Sequence, residues 1–252
     1  MNIANDLAMA LDPVAFSRAA GIPPDDWQAD VLRSPASRLL LNCSRQSGKS
    51  TTTGVLAVHT ALYDPGALVL LLSPSLRQSQ ELFRKCLDTY RAVDRPVSAS
   101  AESAMRLELE NGSRIVSLPG TDGSVRGFSA VKLLVIDEAS RVEDGLYYAV
   151  RPMLAVGAGR LVAMSTPFGK RGWWHKEWTE GGTDWRRVEV PASMCPRIPA
   201  AFLAEERRSL GPWWYGQEYE CAFSETTDSV FSYEEIQGAI TSEIAPLFGG
   251  AQ

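Results

Sequence analysis

The chain has 252 residues, 45% of them hydrophobic and 22% charged, with 30 acidic against 25 basic residues and a net charge of −5. That length accommodates one large domain, or one domain with a small appendage, and the composition excludes a disordered or low-complexity chain. The acidic balance argues against tight nucleic-acid binding by overall charge, but leaves room for a local basic stripe or a ring of subunits that binds DNA together.

Residues 1–24 read as a short helical lead-in ending at Pro23-Pro24, and a helix is expected over Asp25 to Arg33 with an aspartate at its start. Arg38 to Asn42 is a short apolar run, the mark of a buried strand. A helix follows from about Lys49 to Tyr63 and stops at Asp64-Pro65-Gly66. Ala67 to Leu72 predicts a second buried strand, and Ser75 to Arg91 a second amphipathic helix. Arg106 to Leu118 reads as a hairpin turning at Asn111-Gly112. Val131 to Ile136 and Arg160 to Met164 are further apolar strands. After Pro167 tryptophans crowd the sequence and a helix is expected from Pro199 to Tyr219. The tail from Ser224 reads as a linker, with a short helix around Tyr233 to Ile240. Buried strands alternating with helices predict an α/β fold, with a mostly parallel sheet covered on both faces.

Cys43, Cys86, Cys195 and Cys221 form no CxxC pair and have no zinc-ligand spacing, so reduced thiols in an intracellular protein are expected. Met1 to Pro13 lacks the basic flank and apolar core of a signal peptide, and no apolar run is long enough to span a bilayer.

Two motifs carry chemistry. Cys43-Ser44-Arg45-Gln46-Ser47-Gly48-Lys49-Ser50 follows a strand and opens a helix, the context of a phosphate-binding loop. Backbone N–H groups of such a loop surround phosphates, and the helix dipole favours their charge. Lys49 is expected on the β- and γ-phosphates of ATP and Ser50 on Mg²⁺, with Thr51 beside it. Cys43 stands where the usual pattern has its first glycine. The second motif, Leu133 to Glu138, is an apolar strand ending in two acids. Asp137 is expected to hold Mg²⁺ through water, and Glu138 to polarise the attacking water.

The loop, with its internal Arg45, resembles that of the large terminase subunits of tailed bacteriophages. Trp27-Gln28 resembles the glutamine those proteins use near the adenine. Ser73 to Ser79 resembles the segment after their second strand. Val125-Arg126-Gly127 stands where some carry an arginine finger. Ser165-Thr166-Pro167 resembles their coupling motif, and Phe202 to Phe223 their lid helix. The resemblance runs from about Gly21 to Phe231. It implies a P-loop NTPase of the additional-strand catalytic-glutamate type, with residues 1–195 as ATPase core, 196–240 as helical lid and linker, and 241–252 as tail. It also implies ATP hydrolysis driving double-stranded DNA into a procapsid in the host cytoplasm. The implied partners are a portal protein, a small terminase subunit and a homo-oligomeric ring, a pentamer; the isolated chain is expected to be monomeric.

Past Glu235 only Glu243 offers a carboxylate, and two-metal phosphodiester cleavage needs several. No nuclease activity is therefore expected. Arg106, Arg114, Lys170 and Arg171 are candidates for contacting DNA phosphates, although ordinary surface charge is the plainer reading of each. Most of the tryptophans are expected in core and lid packing. Two rival readings are a helicase-like translocase, which needs a second motor domain, and a nucleotide-gated binding module without turnover, against which Glu138 argues.

Overall fold

The computed structural model describes residues 3–120, 125, 127–225 and 238–239. Its helices are α1 (Ile3–Leu11), α2 (Pro13–Ala19), α3 (Asp26–Leu32), α4 (Lys49–Tyr63), α5 (Leu76–Ala92), α6 (Asp144–Val150), α7 (Gly172–Glu180) and α8 (Ala200–Tyr219). Its strands are β1 (Arg38–Cys43), β2 (Leu68–Ser73), β3 (Ala99–Glu102), β4 (Arg106–Leu109), β5 (Arg114–Pro119), β6 (Val131–Asp137), β7 (Arg160–Ser165) and β8 (Arg186–Val190).

The strands form one sheet in the order β3-β4-β5-β2-β6-β7-β1-β8. From β5 through β8 every neighbouring pair is parallel, while β3, β4 and β5 form an antiparallel edge. β7 stands between β1, which leads into the phosphate loop, and β6, which ends in the acids. That is the added strand of the class expected from the sequence.

The apolar runs divide between two cores by the two-residue period of a strand. Leu39, Leu41, Val69, Leu71, Val135 and Met164 pack against α1 to α5, meeting Phe16, Val55 and Phe83. Leu40, Leu70, Leu72, Leu134 and Ile136 face the other way, onto Tyr147, Trp173, Trp174 and Trp185. Full burial of each such aliphatic side chain contributes about 1.5–3 kcal/mol. Trp173, Trp174 and Trp185 are therefore core, as expected, while Trp214 is half exposed.

Local chemistry sets several boundaries. The helical lead-in consists of two helices: Asp12 adopts extended backbone, accepts the Val14 N–H at 3.0 Å, and precedes Pro13 at the first helical position. At the hairpin turn Asn111 Oδ1 accepts the Ser113 N–H at 3.0 Å, and its Nδ2 donates to the carbonyls of Ala61 and Leu62 at 2.9 and 3.2 Å. The turn thereby satisfies carbonyls at the end of α4. α8 is kinked, with Gly211 at φ 74° ahead of Pro212, where the sequence pattern predicts an unbroken helix. Four elements carry no individual signal in the sequence. β3 is too polar to alternate, α6 and α7 are short helices over the second face, and β8 begins with two arginines. The short helix expected around 233–240 falls outside the described residues except for 238 and 239. No helix among the described residues is long and apolar enough to cross a membrane.

Candidate functional site

β1 delivers the chain directly into the phosphate loop. Cys43 is the last strand residue, fully buried and paired with Val190 of β8. The position therefore needs strand backbone rather than the conformational freedom of glycine, and the departure from the usual pattern lies before the loop begins. Burial raises the Cys43 thiol well above its ordinary range. The Ser44 N–H continues the ladder onto the Val190 carbonyl at 2.9 Å. Gln46 at φ 59° and Gly48 at φ 93° then turn the chain through left-handed conformations, the kind of turn that points successive N–H groups to one side. Gly48 has a second reason to be glycine: a Cβ there would lie 2.6 Å from Gln28 Nε2.

Lys49 opens α4 and is buried. Its Nζ lies 3.5 Å from Glu138 Oε1, so the loop lysine and the predicted catalytic acid face each other from β1 and β6. Glu138 occupies left-handed backbone, φ 47°, uncommon for a non-glycine residue, and its N–H donates to Asp137 Oδ1 at 3.0 Å. Asp137 is buried, and burial, with the Glu138 charge adding, pushes its pKa up to about 6. Ser50, half-buried, and Thr51 follow on the first turn of α4. Thr51 Oγ1 accepts from Lys85 Nζ at 3.5 Å. The Ser50 hydroxyl and the Asp137 carboxylate are hard oxygen donors of the kind Mg²⁺ takes, and a cation beside Asp137 would offset the cost that burial and the Glu138 charge place on its ionised form.

Ser165 ends β7, Thr166 follows it, and both are buried. Ser165 Oγ lies 2.7 Å from Ser140 Oγ, just past the acids. Of the predicted coupling residues, Ser165 is thus joined to the acidic turn by a direct hydroxyl contact.

The loop is also held from outside the core. Gln28 Oε1 accepts the Asp25 N–H at 2.9 Å, and Gln28 Nε2 donates to the Ser47 carbonyl at 3.4 Å. The predicted adenine-side glutamine therefore spans the start of α3 and the loop. Arg197 donates to the same carbonyl at 3.0 Å and pairs with Asp25 at 2.7 Å. Glu218 of α8 pairs with Arg45, and the Arg45 N–H donates to the Glu218 carbonyl at 3.0 Å. This pairing raises the Arg45 pKa, so the predicted loop arginine is tied to the lid helix. Arg45, Gln46, Arg197, Phe202 and Tyr219 line a cavity of about 540 Å³ beside the loop. Nothing near Arg197 in sequence marks it as a site residue, and Glu218 appears there only inside the lid resemblance.

The four candidate DNA contacts do not share one surface. Arg106 pairs with Glu108 on its own strand, and Arg114 starts β5 at the end of the sheet away from the loop. Lys170 and Arg171 follow β7 at the loop end. Lys170 pairs with Glu225 at 2.7 Å, and Arg171 lies 4.3 Å from the Phe168 ring centre, which Arg141 approaches at 4.1 Å. Arg126 lies outside the described residues.

Comparison with known proteins agrees with this geometry. The family described as "Terminase large subunit, T4likevirus-type, N-terminal" matches residues 40–238. The large terminase subunit of Thermus virus P23-45 is 24% identical over 86% of this chain and 52% of its own length. The chain therefore spans about half the length of the curated relatives it matches. The fold superposes on the large terminase ATPase domain of Thermus phage P74-26 with a TM-score of 0.73 at 21% identity, covering 82% of this chain and 97% of that one. The large terminase of bacteriophage D6E in complex with ADP gives 0.66 at 12% identity, over 80% and 54%. Matched across most of its length, the chain belongs to the large terminase subunit family, over the N-terminal region of that family's proteins.

Proposed function

We propose that this chain hydrolyses ATP to drive double-stranded DNA into a viral procapsid. The observation that supports it most is the juxtaposition of Lys49 with Glu138, 3.5 Å apart at the ends of β1 and β6. A γ-phosphate bound by Lys49 falls beside a carboxylate suited to orient an attacking water. The loop N–H groups from Ser44 to Ser50 and the start of α4 take the phosphates. Ser50, and Asp137 through water, would hold Mg²⁺, which would supply positive charge against the phosphates. The cavity between Arg197, Phe202 and Tyr219 takes the nucleoside, with Gln28 holding the loop against it. Ser165, tied to Ser140, and Thr166 beside it carry the state of the acidic turn into β7.

Residues 1–195 act as the motor core, 196–240 as lid and linker, and 241–252 as a tail. The chain works in the host cytoplasm as a subunit of a pentameric ring on a portal protein, with a small terminase subunit, and is monomeric when isolated. Arg126 supplies a finger to the neighbouring subunit's site, while Arg45 positions or senses the chain's own nucleotide.

Phosphate release measured with and without duplex DNA tests the reading. Turnover that requires Mg²⁺ and rises with duplex DNA is expected. Nucleotide binding with no turnover under any assembly condition would leave a binding module instead.

A further inference from the structure

The end of the sheet opposite the phosphate loop carries a second charged feature. Five of the six strands in the parallel part start on or next to a base: Arg114 in β5, Lys132 in β6, Arg160 in β7, Arg38 in β1 and Arg186 in β8. The registers keep these starts nearly level. Arg114 pairs with Leu68, Leu68 with Val131, Arg160 with Leu133, Arg38 with Leu161, and Arg186 with Leu39. At about 4.8 Å between strands, the row from β5 to β8 is roughly 24 Å long.

Its neutralisation is incomplete. Lys132 meets Asp64 at 3.1 Å, and Arg38 reaches the exposed Asp184 only at 4.0 Å. Arg151, over the same end, lies 3.8 Å from Glu177. Glu108 stands across the ladder from Arg114 but is itself paired with Arg106. Among the described residues Arg114, Arg160 and Arg186 form no ion pair.

Arg160 is the sharpest case. Its Nη2 donates to the Val31 carbonyl at 3.2 Å, in the last turn of α3, while its Nε is buried without a partner. It lines a cavity of about 270 Å³ together with His59, Tyr63, Asp64 and Lys132. Burial, with the like charge of Arg186 adding, lowers its pKa to about 10. A cation held this way costs free energy until an anion arrives. Capping α3 accounts for only one of its five N–H groups. A second cavity of about 370 Å³, on the other side of β7, is lined by Arg38 and Arg151.

We propose that this edge of strand starts is a phosphate-tracking surface, across which the backbone of duplex nucleic acid lies, at the end of the sheet opposite the nucleotide site. The proposal rests on the motor reading and names the face of the subunit that holds the track. A row this long fits a polyanion better than a compact one. Duplex DNA presents one charge per ~1.7 Å of axis, so a 24 Å row faces more phosphates than it has cations. Arginine, four of the five bases, matches phosphate oxygens with its planar fork. Backbone contacts of this kind carry no sequence information. β7 would then run from Arg160 at the track to Ser165 and Thr166 at the nucleotide.

The test is the binding of a random-sequence duplex to the full chain across a salt series, followed by fluorescence anisotropy. The unaltered chain is compared with R38A/R114A/R186A and with K170A/R171A, which probes the rival surface at the loop end. All three replaced arginines of the first variant lie at the strand starts, so each variant is first checked for an unchanged melting midpoint. Expected for the edge variant is affinity weaker by tenfold or more at low salt, with the slope of log K against log salt shallower by about 0.9 for each phosphate no longer neutralised. Milder single replacements at Arg38 and at Arg186 follow the same trend if the triple variant fails to fold. Unchanged affinity and slope in the edge variants, or a loss confined to K170A/R171A, overturns the proposal while leaving the motor reading standing. Poly-glutamate binding that depends on the edge arginines, with no duplex binding there, also overturns it and points to an acidic peptide. An unaltered chain that hydrolyses ATP yet binds no duplex at low salt removes both the proposal and the DNA half of the motor reading.

Discussion

Glu138 is held beside Lys49 at a local conformational cost. Left-handed backbone in a non-glycine residue costs about 1–2 kcal/mol, and here it aims the carboxylate toward Lys49 while the N–H folds back onto Asp137. On the proposed reading the two charged groups divide the work: Lys49 attracts phosphate, and Glu138 acts on water. Lys49→Ala is therefore expected to remove most ATP binding, whereas Glu138→Gln retains binding and loses turnover by at least about 10²-fold, the usual scale for a general base. Nucleotide titration and phosphate release on both variants check this. Equal loss of binding in the two would sink the division of roles.

Among the elements, α2 and α8 show two ways in which a helix is secured. Asp12 caps α2 through the Val14 N–H and receives the Arg33 guanidinium in a two-pronged contact, Nε at 3.0 Å and Nη2 at 2.6 Å. The Arg33 hydrogen bond is the largest influence holding the Asp12 carboxyl below its ordinary range. A carboxyl whose pKa is depressed by folding stabilises the fold above its unfolded value, near 4, and loses that contribution as pH falls through the lower folded value. Asp12→Ala is expected to cost about 1 kcal/mol, chiefly the cap, because the exposed ion pair is screened. Asp12→Asn should keep most of the cap and lose the acid-side slope. Melting midpoints between pH 3 and 7 distinguish the two. α8 depends on a longer-range tie. Glu218 is buried and joins the half-exposed Arg45 of the phosphate loop. Glu218→Ala should release the end of α8, seen as faster amide exchange over residues 215–219 with β1 and β6 unaffected. Unaltered exchange there would mean that the Tyr215 and Tyr219 packing alone holds the helix.

At the scale of the whole molecule, the site contains the chain's own lysine, acid pair and loop arginine, but a finger acting between subunits needs a ring. Arg126 lies in the glycine-containing segment Gly123 to Gly127, before β6. Removal of a true finger costs about 10³–10⁵ in turnover. Arg126→Ala and Glu138→Gln chains should each be nearly inactive, yet partly recover when mixed at ring-forming concentration. A Glu138→Gln subunit still has its own finger to offer the intact site of an Arg126→Ala neighbour. No recovery on mixing would exclude a finger in trans.

The phosphate loop, the acid pair and the strands that carry them were legible in the sequence because each is local: an apolar run, a glycine, and a charged group one residue beyond a strand end. The alternation of helix and strand likewise pointed to the parallel sheet. What residues far apart in sequence do together was decided only by the tertiary structure. Arg197 and Gln28 meet at the Ser47 carbonyl, Glu218 meets Arg45 across 173 positions, and Ser140 meets Ser165. The kink at Gly211 and the short strand β3 were equally hidden, since one needs a backbone angle and the other a neighbour's ladder. The basic edge is the clearest case. Arg38, Arg114, Lys132, Arg160 and Arg186 are far apart in an acidic chain, and only the parallel order of the strands, with their starts at one end, places their charges in a row.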